Sequence, residues 1–177
     1  MRKRVFLILF IPLVLFAQEN GGKDVWEPLR YFVGSWTGES TGKAGDGKGE
    51  RTCEFIMEGT YLHYKTVMHF EPQEKNPEGE VHEDWVFFSF DQNRNSLVVR
   101  QFNTEGFVNQ YVLDSLSSDG SRLVLTTEHS ENAPPGLMAK YTLEIKNADE
   151  FVENFELGFS GKGYSCWMTN TWYRKEN

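Results

Sequence analysis

The chain has 177 residues, 39% hydrophobic and 15% aromatic, with 18 basic against 26 acidic side chains and a formal net charge of −8. A balance this acidic repels nucleic acid and anionic membrane surfaces, which argues against a nucleic-acid partner. The length suits one domain with a sizeable core, and no internal repeat or low-complexity segment divides it.

Arg2, Lys3 and Arg4 precede an almost wholly apolar run from Val5 to Phe16, which ends at Ala17. This is the layout of a secretory signal peptide, and the run is shorter than the roughly 20 residues of a membrane span. Residues 1–17 are therefore expected to be removed, leaving an exported (periplasmic or extracellular) protein without stable membrane insertion and with a net charge of −8 − 3 = −11. Leu15 stands where cleavage prefers a small residue, so an uncleaved anchor is the alternative. One domain is expected over residues 24–177.

Asp24 and Glu27 are spaced as a capping box, and Pro28 falls in the first turn, where a missing N–H matters least. Trp26, Leu29, Phe32 and Val33 supply the apolar side of a short helix that stops at Gly34. Beyond Gly34 the hydrophobic period changes to two and stays there. Strands are expected to begin near residues 35, 50, 60, 81, 97, 107, 122, 138, 150 and 164. No stretch between them is long enough for a helical crossover. The expected fold is therefore all-β: a ten-stranded antiparallel up-and-down β-barrel, with the short N-terminal helix closing one end and no open sheet edge.

Trp36, Gly38, Ser40 and Gly42 alternate on the first strand, and such small residues either leave room inside or let the barrel curve. Taking Glu58-Gly59 as a two-residue turn sets Phe55 opposite Leu62, Cys53 opposite Tyr64 and Arg51 opposite Thr66 on an inward face. The outward face then carries Glu54 opposite His63 and Thr52 opposite Lys65. The same treatment of Asn103 to Gly106 sets Phe102 opposite Phe107, Arg100 opposite Asn109 and Val98 opposite Tyr111. Continuing that register through the turn at Asp91 to Ser96 adds Trp85 opposite Phe102 and Phe87 opposite Arg100. These aromatic and polar residues have the composition of a pocket wall. The two cysteines, Cys53 and Cys166, fall on strands separated by the first strand, too far apart for a disulfide, and are expected to be buried free thiols.

The helix followed by Gly34-Ser35-Trp36-Thr37-Gly38, the segment MEGTYL from Met57 to Leu62, and the closing Thr171-Trp172-Tyr173-Arg174 together resemble the calycin-like, or lipocalin-like, barrels. The nearest of these are the nitrobindin-type haem-binding barrels and a related bacterial domain family of unknown function. The resemblance implies that Arg174 packs over the indole of Trp36 as a structural closure of one end. It also implies haem as the cofactor, held through a histidine near the end of the chain. Here that region reads WMTNTW from Trp167 to Trp172 and has no histidine, so the departure tells against haem, whose iron needs an axial donor.

His82-Glu83-Asp84 is the densest set of metal-ligand types, with His69 on an adjoining segment. Neighbours on a strand point to opposite faces, so the cluster reads as a solvated strand end rather than a metal site. No nucleophile motif is present, and GFSGKG from Gly158 to Gly163 reads as a hairpin turn. Two inward arginines, Arg51 and Arg100, are the most informative feature. A buried guanidinium is costly unless paired. Either Glu83 and Glu153 pair them, or an anionic ligand head group does, while Phe55, Trp85, Phe102 and Tyr141 hold its apolar body.

The sequence thus points to a binding barrel for a small apolar or amphiphilic molecule, an anionic one included, without intrinsic catalysis. Arg51, Tyr64, Trp85, Arg100, Phe102, Asn109, Tyr111 and Tyr141 form the expected ligand wall. Haem-dependent reactive-nitrogen chemistry is the alternative. A barrel filled by its own side chains, acting through its acidic exterior, is the third.

Overall fold

The computed structural model describes residues 24–176; the expected signal segment, residues 1–17, lies outside them. A 3₁₀ helix at Glu27–Phe32 precedes ten strands: β1 Gly34–Gly42, β2 Gly47–Ile56, β3 Tyr61–Phe70, β4 Glu80–Asp91, β5 Ser96–Asn103, β6 Val108–Leu116, β7 Arg122–Glu131, β8 Leu137–Asn147, β9 Glu150–Phe159 and β10 Tyr164–Arg174. Each strand pairs antiparallel with the next, and β10 returns to β1, so the sheet closes into a barrel. Closure leaves no strand with an unpaired edge. The expected up-and-down barrel with a short helix at one end is the fold observed.

Period-two patterning builds the interior. On β1, Trp36, Gly38 and Ser40 are buried while Thr37, Glu39 and Thr41 face outward. Ser40 and Asn170 are register partners, as are Gly38 and Trp172. A methyl group on Gly38 would lie 2.5 Å from the Trp172 ring, so the small residue makes way for an indole from the neighbouring strand. At this level the room that Gly38 leaves is already filled.

The helix plugs the end at which β1 starts. Leu29 and Phe32 are buried there, and Pro28 stands in its first turn. No side chain caps the helix in capping-box fashion; instead Asp24 accepts the Trp26 N–H at 3.0 Å and pairs with Arg30 at 2.8 Å. Trp36 Nε1 donates to the Phe32 carbonyl at 2.8 Å, locking plug to wall. Phe151 packs edge-on against Trp36 at 4.8 Å and against Phe32 at 5.0 Å, and stacks over Trp172 at 6.2 Å.

Arg174 sits 4.1 Å above the Trp36 ring, as the resemblance implies. It also donates to the carbonyls of Val33 at 3.0 Å and Tyr31 at 2.8 Å. A planar fork can stack and donate twice at once, which an ammonium cannot. Arg174→Lys is therefore expected to cost about 1–2 kcal/mol in chemical denaturation, the sum of a lost cation–π contact and an unmade hydrogen bond.

Two expectations fail at irregularities of the sheet. Five residues, not four, separate the last paired residues of β5 and β6: Phe102 pairs with Val108, and Gln101 with Asn109. Gly106, at φ 83°, supplies the extra left-handed position, and Phe107 N–H is tied to Asn103 Oδ1 at 3.0 Å. That residue flips β4 and β5 relative to the expected faces. Trp85 and Phe102 are correctly opposed but point outward, and Arg100 is exposed beside Phe87. The second failure is Cys166. A bulge between Cys166 and Met168 breaks the alternation and leaves Cys166 exposed, whereas Cys53 is buried; both thiols are free. Burial pushes the Cys53 thiol up to about 12, so it is inert at neutral pH.

Candidate functional site

At the end away from the helix, the interior opens into a cavity of about 540 Å³. This lies inside the range of about 300–1,000 Å³ common for small-molecule pockets. Met68 and Phe70 from β3, Leu137 and Ala139 from β8, and Phe155 and Leu157 from β9 supply its apolar wall. Lys43 and Lys75 stand at the mouth among Glu80 and Glu105. A recess of about 10 Å³ lies deeper, bounded by Tyr64, Gln101, Tyr111, Tyr141 and Glu153 among others. That is about the space of one water-sized group.

Arg51 is the buried cation at the cavity floor. Its Nη1 and Nη2 donate to the two oxygens of Glu153 at 2.9 and 3.1 Å, and its Nε donates to Thr66 Oγ1 at 2.8 Å. Its faces lie 4.2 Å from the Tyr64 ring and 4.1 Å from the Trp172 ring. Burial alone disfavours its charge, and the Glu153 carboxylate more than restores it. Glu153 is therefore the partner, as one of the two sequence readings held. Glu83 is not: it lies on the outer face, paired with Lys65 at 3.1 Å.

A second polar chain runs up the wall from the recess to the mouth. Tyr111 Oη donates to Gln101 Oε1 at 2.8 Å, and Gln101 Nε2 donates to Asp84 Oδ1 at 2.8 Å and to Tyr141 Oη at 3.1 Å. Asn109 Nδ2 reaches Gln101 Oε1 at 3.2 Å, and Ser130 Oγ donates to Asn109 at 2.7 Å. Asp84 also pairs with His82 Nε2 at 3.1 Å, and Glu105 with His82 Nδ1 at 2.7 Å. His82 and Asp84 are two apart on β4 and share its inner face, and Glu105 joins them from the β5–β6 loop. The sequence reading treated this strand end as solvated and missed the cluster. The i, i+2 spacing of His82 and Asp84 was the available signal, but the flipped register concealed its direction.

Burial opposes the charge on His82, but the hydrogen bonds it donates to Asp84 and Glu105 raise its pKa to about 10. Because the folded value lies above the unfolded value near 6.5, His82 contributes stability that is complete below about pH 6.5 and is lost as pH rises through about 10. The stability gap between wild type and His82→Gln is therefore expected to shrink from pH 6 towards pH 10 in urea titrations; a gap that widens would contradict the pairing.

Of the residues expected to line a ligand site, the structure places Arg51, Tyr64, Asn109, Tyr111 and Tyr141 around the interior and Trp85, Arg100 and Phe102 outside. The outward group forms an aromatic strip: His63 lies 5.5 Å from Trp85 and 4.8 Å from Phe87, which meets Phe102 at 6.2 Å. Residues missed from sequence include Asp84, Gln101 and Glu105, all on the cavity wall.

Haem does not fit these residues. Among the described residues the cavity is lined by a single imidazole, His82, whose two nitrogens are both engaged by carboxylates. A doubly hydrogen-bonded imidazolium has no lone pair for iron. Among the described residues no group of three or more histidine, cysteine, aspartate and glutamate side chains is arranged to hold a metal ion.

No family model matches the chain, and no curated protein does. Among solved structures the chain is similar to Rv2717c from M. tuberculosis, at 14% identity over 85% of this chain and 97% of the other, with a TM-score of 0.61. It is also similar to the S-type phycobiliprotein lyase CPES from Guillardia theta, at 13% identity over 88% and 94% of the two chains, with a TM-score of 0.54. At such identities the likeness shows the closed antiparallel barrel fold and nothing finer, and it does not single out the nitrobindin type.

Proposed function

We propose that this is an exported binding barrel for a small apolar or amphiphilic molecule, working without catalysis. The observation that carries the reading is the cavity of about 540 Å³, open at one end, with an apolar wall and a hydrogen-bonding floor. Export rests on the composition of residues 1–17. The reading without catalysis is supported by the disposition of the polar groups in the cavity: Arg51 is tied to Glu153, and His82 to Asp84, so none of the four is left as an unengaged base.

Native mass spectrometry after gentle purification from the host tests the reading. A bound small-molecule mass that is lost on denaturation is expected; consistently empty protein would contradict it. Trp85→Ala and Phe102→Ala, which alter only the outer face, are expected to leave that bound mass unchanged.

A further inference from the structure

The charge of the ligand's polar end follows from which interior groups have bonding capacity left. We propose that the cavity takes an uncharged amphiphile whose polar end is a hydrogen-bond acceptor, such as an amide or ketone oxygen, and rejects the corresponding carboxylate. This deepens the binding reading above and rests on it.

An anionic head group needs an unspent cation. Arg51 is not one: three of its nitrogens donate to Glu153 and Thr66, and the Tyr64 and Trp172 rings lie 4.2 and 4.1 Å from its guanidinium. Nor is His82, which is clamped between Asp84 and Glu105. At the mouth, Lys75 Nζ donates to the Gly42 carbonyl at 3.0 Å and Lys43 lies over the Trp167 ring at 5.5 Å. A carboxylate carried down to the cavity floor would leave Lys43 and Lys75 behind at the mouth and give up its hydration facing Glu153 and Asp84, where Arg51 is already paired.

Asn170 Oδ1 on the wall is an unspent acceptor, but the unspent groups at the cavity base are two neutral donors. Tyr64 Oη donates to no protein group among the described residues, and Tyr141 Oη accepts from Gln101 without donating to any. Both side chains line the recess at the cavity base, and burial raises both hydroxyls well above the ordinary tyrosine range, which keeps their protons in place. An acceptor oxygen on the ligand would satisfy them, while its apolar body would lie against Met68, Leu157 and Phe155.

The test is displacement of a neutral dimethylaminonaphthalene ketone dye by dodecanamide and by dodecanoate at neutral pH, with native mass spectrometry on the same samples. Dodecanamide is expected to displace the dye at a concentration at least about tenfold lower than dodecanoate, and Tyr64→Phe with Tyr141→Phe is expected to remove most of that preference. Dodecanoate binding as tightly as the amide overturns this inference and leaves the binding reading standing. If neither ligand nor dye binds, the binding reading falls with it. The comparison on unaltered protein stands whether or not the tyrosine variant folds.

Discussion

Replacing Glu153 with alanine is expected to lower unfolding free energy by about 3–5 kcal/mol, because it leaves a guanidinium buried without its counter-charge. Arg51 and Glu153 are only 5% and 3% exposed at the side chain, and only water reaching the cavity floor could replace the lost carboxylate. Asn170 Nδ2, which donates to Glu153 Oε1 at 2.9 Å, would lose its acceptor as well. Urea denaturation of the variant reads the loss directly. Replacing both partners by apolar residues of similar size, Arg51→Met with Glu153→Leu, is expected to recover most of it, since neither charge then remains buried. A single-variant cost below about 1 kcal/mol would mean that the pair is solvated, as surface pairs are.

Trp36→Ala is the second large effect, at about 3–5 kcal/mol. The indole is fully buried, donates to the Phe32 carbonyl, carries Arg174 on one face and meets Phe151 edge-on. Removing it opens a void between plug and barrel that the closed strands cannot collapse to fill. The same denaturation experiment, run beside Arg174→Lys, separates the packing loss from the smaller loss of the cation's seat. A cost near that of Arg174→Lys would show that the helix does not close the barrel end.

The fold was legible because the signals that define it are local. Period-two patterning recurred along the chain from Gly34, and the turn residues at Glu58-Gly59, Asp91 to Ser96 and Ser160 to Gly163 marked the strand ends. The β2–β3 register was legible for a particular reason: that loop spans Met57 to Thr60, and its even length preserves the pairing given by a two-residue turn. Arg51, Tyr64 and Cys53 were therefore placed correctly. Between β5 and β6 the last paired residues, Phe102 and Val108, enclose an odd number, and a glycine in the left-handed region is compatible with either count. One residue of error there turned Trp85, Arg100 and Phe102 inward on paper and hid Asp84 and Gln101, which do face the cavity. The bulge at Cys166 had the same effect on one thiol. Composition adds to the difficulty, since β4 and β5 carry apolar side chains on both faces, and Val98 and Val99 are both buried. Where both faces of a strand are apolar, alternation carries no direction.

The central claim is that the open end of this barrel encloses usable space, and the most direct measurement is titration of the neutral naphthalene dye against wild type and Ala139→Trp. Ala139 is buried on β8 and borders the cavity, so an indole there would occupy the space the dye needs. A saturable blue shift in wild type, lost in a folded Ala139→Trp protein, is the result expected. Equal binding by both proteins, or none by wild type, would show that the cavity is not where small molecules are held.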